Sequence, residues 1–106
     1  MDTLTDVLGA VSHPSRRAIL DRLTRGPARV TEIAEPFDMS LNAVSKHLKV
    51  LESAGLIRRE VVGRDHVIAF RGAPLREVST WVRHYERFWT QELDKLEHYF
   101  KAKRNK

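Results

Sequence analysis

Residues 40–57 constrain the fold of this chain of 106 residues more than any other segment. They read Ser40-Leu41-Asn42-Ala43-Val44-Ser45-Lys46-His47-Leu48-Lys49-Val50-Leu51-Glu52-Ser53-Ala54-Gly55-Leu56-Ile57. Ser40 suits a helix N-cap, because its hydroxyl accepts from an otherwise unpaired first-turn amide. Val44, Leu48 and Leu51 recur at spacings of four and three, a helical apolar stripe. Gly55 tolerates the left-handed turn that ends a helix. The other face carries Asn42, Ser45, Lys46, His47 and Lys49, hydrogen-bonding side chains with two cations among them. Such a face suits a DNA major groove, where base edges are read and phosphates neutralised.

The flanking segments extend this pattern. Residues 2–12 predict a short helix with Leu4, Val7, Leu8 and Val11 on one side. His13-Pro14 breaks it, because proline disfavours helical geometry in the residue before it. Pro14 then opens a helix over about 14–25, with Ala18, Ile19 and Leu23 expected inside and Gly26-Pro27 as its stop. Arg16 and Arg17 lie near its start, either as solvated surface or as a phosphate clamp. Arg29-Val30 suggests a short strand. Thr31 is the expected cap of a brief helix through Ile33 and Ala34, which Pro36 cuts short. Two helices joined by a polar turn, the second with a cationic face, predict a helix-turn-helix at about 31–55.

From Ile57 to Phe70 the period changes. Ile57, Val61, Val62, Val67, Ile68 and Phe70 are β-branched or aromatic with polar residues between them, and Gly63-Arg64-Asp65 interrupts the run. That predicts a β-hairpin. Placed after a recognition helix it reads as a wing at about 57–70, with Arg64 at its tip and Arg58 and Arg59 at its base. An ordinary surface hairpin is the alternative.

Ala73-Pro74 opens the last element, expected over about 74–100. Leu75, Val78, Val82, Tyr85, Trp89, Leu93, Leu96 and Phe100 recur at three and four, and Trp81 and Phe88 widen the stripe. At about 1.5 Å per residue the helix spans roughly 40 Å, longer than a body this small covers. A two-fold dimer built on Val78, Trp81, Val82, Tyr85, Phe88, Trp89, Leu93 and Leu96 is the economical answer. Packing on the monomer's own core is the alternative.

Charge is local. The net charge is +5, but Lys101, Lys103, Arg104 and Lys106 in a basic tail at 101–106 supply four of it. That tail reads equally as a solubilising end or a DNA contact. Residues 40–72 carry six Lys/Arg against three acids, whereas residues 29–39 are net acidic. Positive charge thus gathers on the segment suspected of touching DNA. Zero cysteines exclude disulfides and thiolate ligands. No apolar run approaches a membrane span and no signal peptide is evident, so a cytoplasmic location is the expectation.

The residues now resemble a known family. His13-Pro14-Ser15-Arg16-Arg17-Ala18-Ile19-Leu20, the run from Thr31-Glu32-Ile33-Ala34 through Asn42-Ala43-Val44-Ser45-Lys46-His47-Leu48 to Ala54-Gly55-Leu56-Ile57, and the hairpin after it resemble the ArsR-type winged-helix repressors of bacteria and archaea. Glu35-Pro36-Phe37-Asp38-Met39-Ser40 resembles the SdpR-like branch that lacks the metal site, with Asn42 where that branch often has proline. The resemblance implies a homodimer that binds a palindromic double-stranded operator and represses transcription. The arsenic sensors of the family use paired cysteines, absent here. Its zinc sensors pair Asp-x-His with a later His-x-x-Glu, a pattern that His84, Glu86, Asp94, Glu97 and His98 do not reproduce. No metal and no cofactor is therefore expected, and nothing in the sequence identifies an effector ligand.

The resulting expectation is a mainly α fold with a small β-hairpin: a single winged helix-turn-helix domain over 1–100 with a long C-terminal dimerisation helix. Ser40, Asn42, Ala43, Ser45, Lys46, His47, Lys49, Arg64, Arg16 and Arg17 are the expected DNA-binding residues. An enzyme is the rival class. Ser45-Lys46-His47 looks like a catalytic cluster, but consecutive helix residues point about 100° apart and do not converge. A winged helix used for protein contact is a second rival, which the basic wing and helix disfavour.

Overall fold

Asp2 accepts the Thr5 amide at 2.8 Å, which caps α1 (Thr3–Ala10). The computed structural model describes residues 2–104, so Lys106 of the basic tail lies outside the described residues. After α1 come α2 (Pro14–Leu23), β1 (Ala28–Arg29), α3 (Val30–Ala34), α4 (Leu41–Ser53), β2 (Ile57–Val62), β3 (Asp65–Phe70) and α5 (Leu75–Arg104).

The cap of α2 is His13, whose Nδ1 accepts the Ser15 amide at 3.1 Å. Ile19, Leu20 and Leu23 are buried and Ala18 is exposed, which corrects the expected inward set. At 3.6 residues per turn, Ala18 lies about 150° from the middle of that buried face. Val30 starts α3 rather than prolonging a strand, and the cap residue is Arg29, not Thr31. Glu32 explains the shift, because its carboxylate accepts the Arg29 amide at 3.1 Å and Arg29 Nε at 2.9 Å.

α4 begins where Ser40 Oγ accepts the Ala43 amide at 3.1 Å. It ends in a Schellman turn: the Leu56 amide donates to Leu51 O and the Gly55 amide to Glu52 O, both at 3.0 Å. Gly55 has φ +76°, and Leu51 and Leu56 are wholly buried, closing the apolar contact typical of this turn.

The hairpin pairs Ile57 with Phe70 through to Val62 with Asp65. Its loop is therefore Gly63-Arg64 alone, and Asp65 belongs to β3. Of these two loop residues only Gly63 has positive φ (+64°), as a II′ turn requires. β1 adds a third antiparallel strand in the order β1-β3-β2, with Ala28 opposite Ile68. The core lies where this sheet meets the helices: Val7, Ile19, Ile33, Val44, Leu48, Leu51, Leu56 and Ile68 have no exposed surface.

α5 leaves that body. Only Leu75 and Val78 reach the core, and no residue of the helix is fully buried. The radius of gyration is 19.6 Å, against about 13 Å for a compact chain of this length. The long axis measures 71 Å. Trp89 is 50% exposed and Leu93 65%. The stripe repeats every eleven residues: Val78, Trp89 and Phe100 share one position, Val82 and Leu93 a second, Tyr85 and Leu96 a third. The helix also continues to Arg104, so the described part of the basic tail is its last turn. A Glu97–Lys101 ion pair at 3.7 Å, Lys103 over the Tyr99 ring at 5.8 Å, and cations beside the negative end of the helix dipole favour that turn.

Gly55→Ala should lower stability by about 1–2 kcal/mol, the cost of holding an L-residue in the left-handed region. The added Cβ also sits 3.4 Å from Pro74 Cγ. Urea denaturation followed by circular dichroism measures the loss; an unchanged midpoint contradicts the Schellman assignment.

Candidate nucleic-acid interface

Burial of Val44, Leu48 and Leu51 sets the rotation of α4, and that rotation sorts its polar residues into three groups. Asn42, Lys46 and Lys49, at spacings of four and three, lie opposite the buried stripe and are exposed. Ser45, half-buried, lies on one flank. His47, also half-buried, lies on the other. The face read as continuous in the sequence is thus a ridge with two shoulders.

The Ser45 shoulder meets the hairpin. Ser45 and Leu41 line one crevice with Arg29, Val30, Thr31, Arg59, Arg64, Asp65 and His66. Arg64, at the exposed turn, is therefore brought to the same crevice as α4. The hairpin is braced against α4 and β1 by ion pairs from Arg59 to Glu52 and from Arg29 to Asp65, both at 3.6 Å. Arg59 Nη1 also lies 3.4 Å from His66 Nδ1. The hydrogen bond and charge of Glu32, with the charge of Asp65, raise the Arg29 pKa, and Arg29 in turn lowers that of Glu32. Among the described residues no acid pairs with Lys46, Lys49 or Arg64.

The His47 shoulder meets the corner between α1 and α2. The His47 and His13 rings are 4.6 Å apart between centroids, and Arg16 Nη1 lies 3.3 Å from His47 Nδ1. Arg16 also donates through Nε to Ala10 O at 2.6 Å and through Nη2 to Gly9 O at 3.2 Å. Arg17 Nη1 donates to Val11 O at 2.6 Å. Both arginines thus serve carbonyls at the end of α1, where the Ser12 hydroxyl also donates to Gly9 O at 2.7 Å. Sequence reading missed this. The available signal was a helix that stops without a C-terminal glycine, followed within six or seven residues by two arginines. Arg29 was missed as well, and its link to Asp65 has no local sequence signature.

The remaining expected contacts are placed simply. Ser40 caps α4, Ala43 is half-buried in its first turn, and Asn42 occupies that turn's exposed side. Val78 and Val82 are half-buried on α5; Trp81, Tyr85, Phe88, Trp89, Leu93 and Leu96 are exposed along it. Among the described residues no three His, Asp or Glu side chains lie close enough to share a metal ion. Among the described residues no helix is long and apolar enough to cross a membrane.

Comparison with known proteins agrees with this geometry. A helix-turn-helix domain family matches residues 11–60. The HTH-type transcriptional regulator Rv2034 of Mycobacterium tuberculosis is 38% identical over 84 residues, 79% of this chain and 76% of that protein. The transcriptional repressor SdpR of Bacillus subtilis is 30% identical over 82 residues, 77% of this chain and 91% of that protein. The crystal structure of an ArsR family transcriptional regulator, RHA00566, superposes with a TM-score of 0.77 at 40% identity, covering 83% of this chain and 91% of that one. The chain belongs to the ArsR-type family of winged helix-turn-helix transcriptional regulators. Members of that family regulate transcription by binding DNA; neither they nor this ArsR-type chain are enzymes. The solution structure of Mb0332 from Mycobacterium bovis, a homodimeric winged helix-turn-helix DNA-binding domain, superposes with a TM-score of 0.66 at 25% identity over 86% of this chain and 84% of that one.

Partial burial pushes the pKa of His47 below its ordinary 6.5, and the charges of His13 and Arg16 push it the same way. The fold therefore prefers neutral His47. Its contribution to stability is complete above about pH 6.5 and is lost as pH falls through the lower folded value. Urea titrations from about pH 7.5 to about pH 5 should show a decline that His47→Gln reduces; an identical decline in both proteins refutes the assignment.

Proposed function

We propose that this ArsR-type regulator acts in the cytoplasm as a homodimeric repressor that binds a palindromic operator. The observation that carries the reading is the α4 ridge of Asn42, Lys46 and Lys49, with no acidic partner for its cations among the described residues and Arg64 at the neighbouring hairpin turn. In the proposed complex α4 enters the major groove by its N-terminal half. Asn42 and Lys46 meet base edges. Ser40 and Ala43, joined by the cap, hold the first turn so that the Leu41 and Asn42 amides face a phosphate, and Ser45 closes the edge facing the wing. Lys49 and Arg17 reach phosphate, and Arg64 reaches phosphate or the minor groove. Helix-turn-helix at 31–55, wing at 57–70 and the long helix together form one winged-helix unit.

The second half of the proposal is the dimer. Trp81, Tyr85, Phe88, Trp89, Leu93 and Leu96 form an exposed apolar stripe on a helix that leaves its own body. A second copy, related by a two-fold axis, buries that stripe and duplicates α4. The two α4 helices then address major grooves about 34 Å apart, one turn of DNA. The homodimeric Mycobacterium bovis domain and the Bacillus subtilis repressor support the assembly and the direction of control.

Sequencing DNA retained by the purified protein from a random pool should return an inverted repeat. On that duplex Lys46→Ala should weaken binding by roughly 1–3 kcal/mol at one base position. Arg64→Ala should weaken all sequences alike and reduce the salt slope by about 0.9. A Ser45/Lys46/His47 triple alanine that binds normally sinks the assignment of α4.

The double substitution Trp89→Asp with Leu93→Asp should give a folded monomer, since both side chains are exposed within one chain. Sedimentation equilibrium and circular dichroism together check this. A dimer that survives the two charges removes α5 as the interface.

A further inference from the structure

We propose that Arg16 is a positioning residue for DNA binding: its guanidinium ties the end of α1 to His47 and so holds the recognition helix at its angle. The inference rests on the reading that α4 binds DNA. Three nitrogens of one guanidinium reach two helices: Nε and Nη2 hold Ala10 O and Gly9 O of α1, and Nη1 lies against His47 Nδ1 of α4. The planar fork makes these three contacts together in a way an ammonium does not. Arg16 is half-buried, and its Nη1 meets the half-buried His47 shoulder of α4 rather than the exposed ridge.

The contact fixes a tautomer. Arg16 has only donors, so His47 Nδ1 must present its lone pair and the ring proton must sit on Nε2. His13 is fixed too, because its Nδ1 accepts the Ser15 amide at 3.1 Å. The charged and titratable groups that face His47 are Arg16 and His13 from the corner between α1 and α2, with Lys46 adjoining on α4 itself. Arg16 and Lys46 are cationic. Protonating His47 therefore places a donor and a charge against the guanidinium and breaks the tie.

The position of the tie gives it a consequence for recognition. His47 is the neighbour of Lys46 and lies five residues from Asn42, so its anchorage sets where the ridge points. Between α1 and α4 on that side lies an open groove bordered by Gly9, Ala10, Lys49 and Val50. The Arg16 contact spans the corner beside it.

The test uses the full chain and the duplex it selects from random DNA, with Lys46→Ala measured in the same series. Arg16→Lys keeps the charge and loses the fork; binding should weaken about tenfold with the salt slope unchanged. Arg16→Gln should weaken it similarly, again with no change in slope. His47→Gln offers Arg16 a non-titrating carbonyl acceptor. Its binding should not show the weakening that wild type shows in acid. Wild-type binding that does not weaken in acid, or weakens no more than that of the His47→Gln variant, overturns the proposal. So does a slope reduced by about 0.9 in Arg16→Gln, the mark of a phosphate contact. If Lys46→Ala binds normally, the DNA-binding reading of α4 fails; if it weakens binding and Arg16→Lys does not, the positioning role alone fails. Nitrogen-15 NMR of the free protein adds a readout independent of DNA: His47 should carry its proton on Nε2, and a proton on Nδ1 overturns the tie.

Discussion

Three side chains fix the rotation of α4, and the rest of the surface depends on that rotation. Val44, Leu48 and Leu51 cover a narrow arc of the helix and are wholly buried. A helix anchored by so narrow a stripe leaves most of its circumference to other uses. One shoulder faces the hairpin through Ser45, the other faces α1 and α2 through His47, and the ridge between them is left to solvent. The ends are fixed as firmly as the rotation, by the Ser40 cap and by the left-handed Gly55 that turns the chain into the sheet. A rotation of one residue, about 100°, would bury Ser45 and expose Val44. The apolar core therefore aims the polar surface.

What was legible in the sequence was local. The bounds of α4 follow from Ser40 and Gly55, the hairpin from its alternating β-branched residues, and the long helix from its stripe. Each signal lies within a few residues of the structure it specifies. The features that escaped depend on partners far along the chain. β1 is two residues long and exists because β3 offers an edge about forty positions later. Arg29 is set by Glu32 nearby and by Asp65 on the hairpin. The polar face of α4 looked uniform because periodicity gives angles around a helix without saying what stands beside it. Ala18 was misassigned for a simpler reason: alanine reads as apolar, but the larger Leu20 claims the inward side.

The charges divide in the same way. Arg16, Arg29 and Arg59 all hydrogen-bond or ion-pair within the fold, bracing a helix end, a short helix or the hairpin. Lys46, Lys49 and Arg64 point outward without an acidic partner among the described residues. Basic residues counted together in the sequence thus separate into scaffold and surface. Arginine predominates in the first group because its fork reaches several acceptors at once. Lysine predominates in the second, where a single mobile charge suffices.

The eleven-residue repeat along α5 has a consequence for handedness. An ideal helix turns about 3.6 residues per revolution, and a stripe repeating every eleven advances at about 3.67. Such a stripe drifts about 20° per repeat in the sense opposite to that of a heptad. Two α5 helices that keep Val78, Trp89 and Phe100 in contact would wind gently right-handed. A left-handed heptad coil offers its seam on the opposite drift and would lose register with this one along the helix. The spacing of the aromatics thus favours a like helix over the common zipper, and discriminates between partners without any charge.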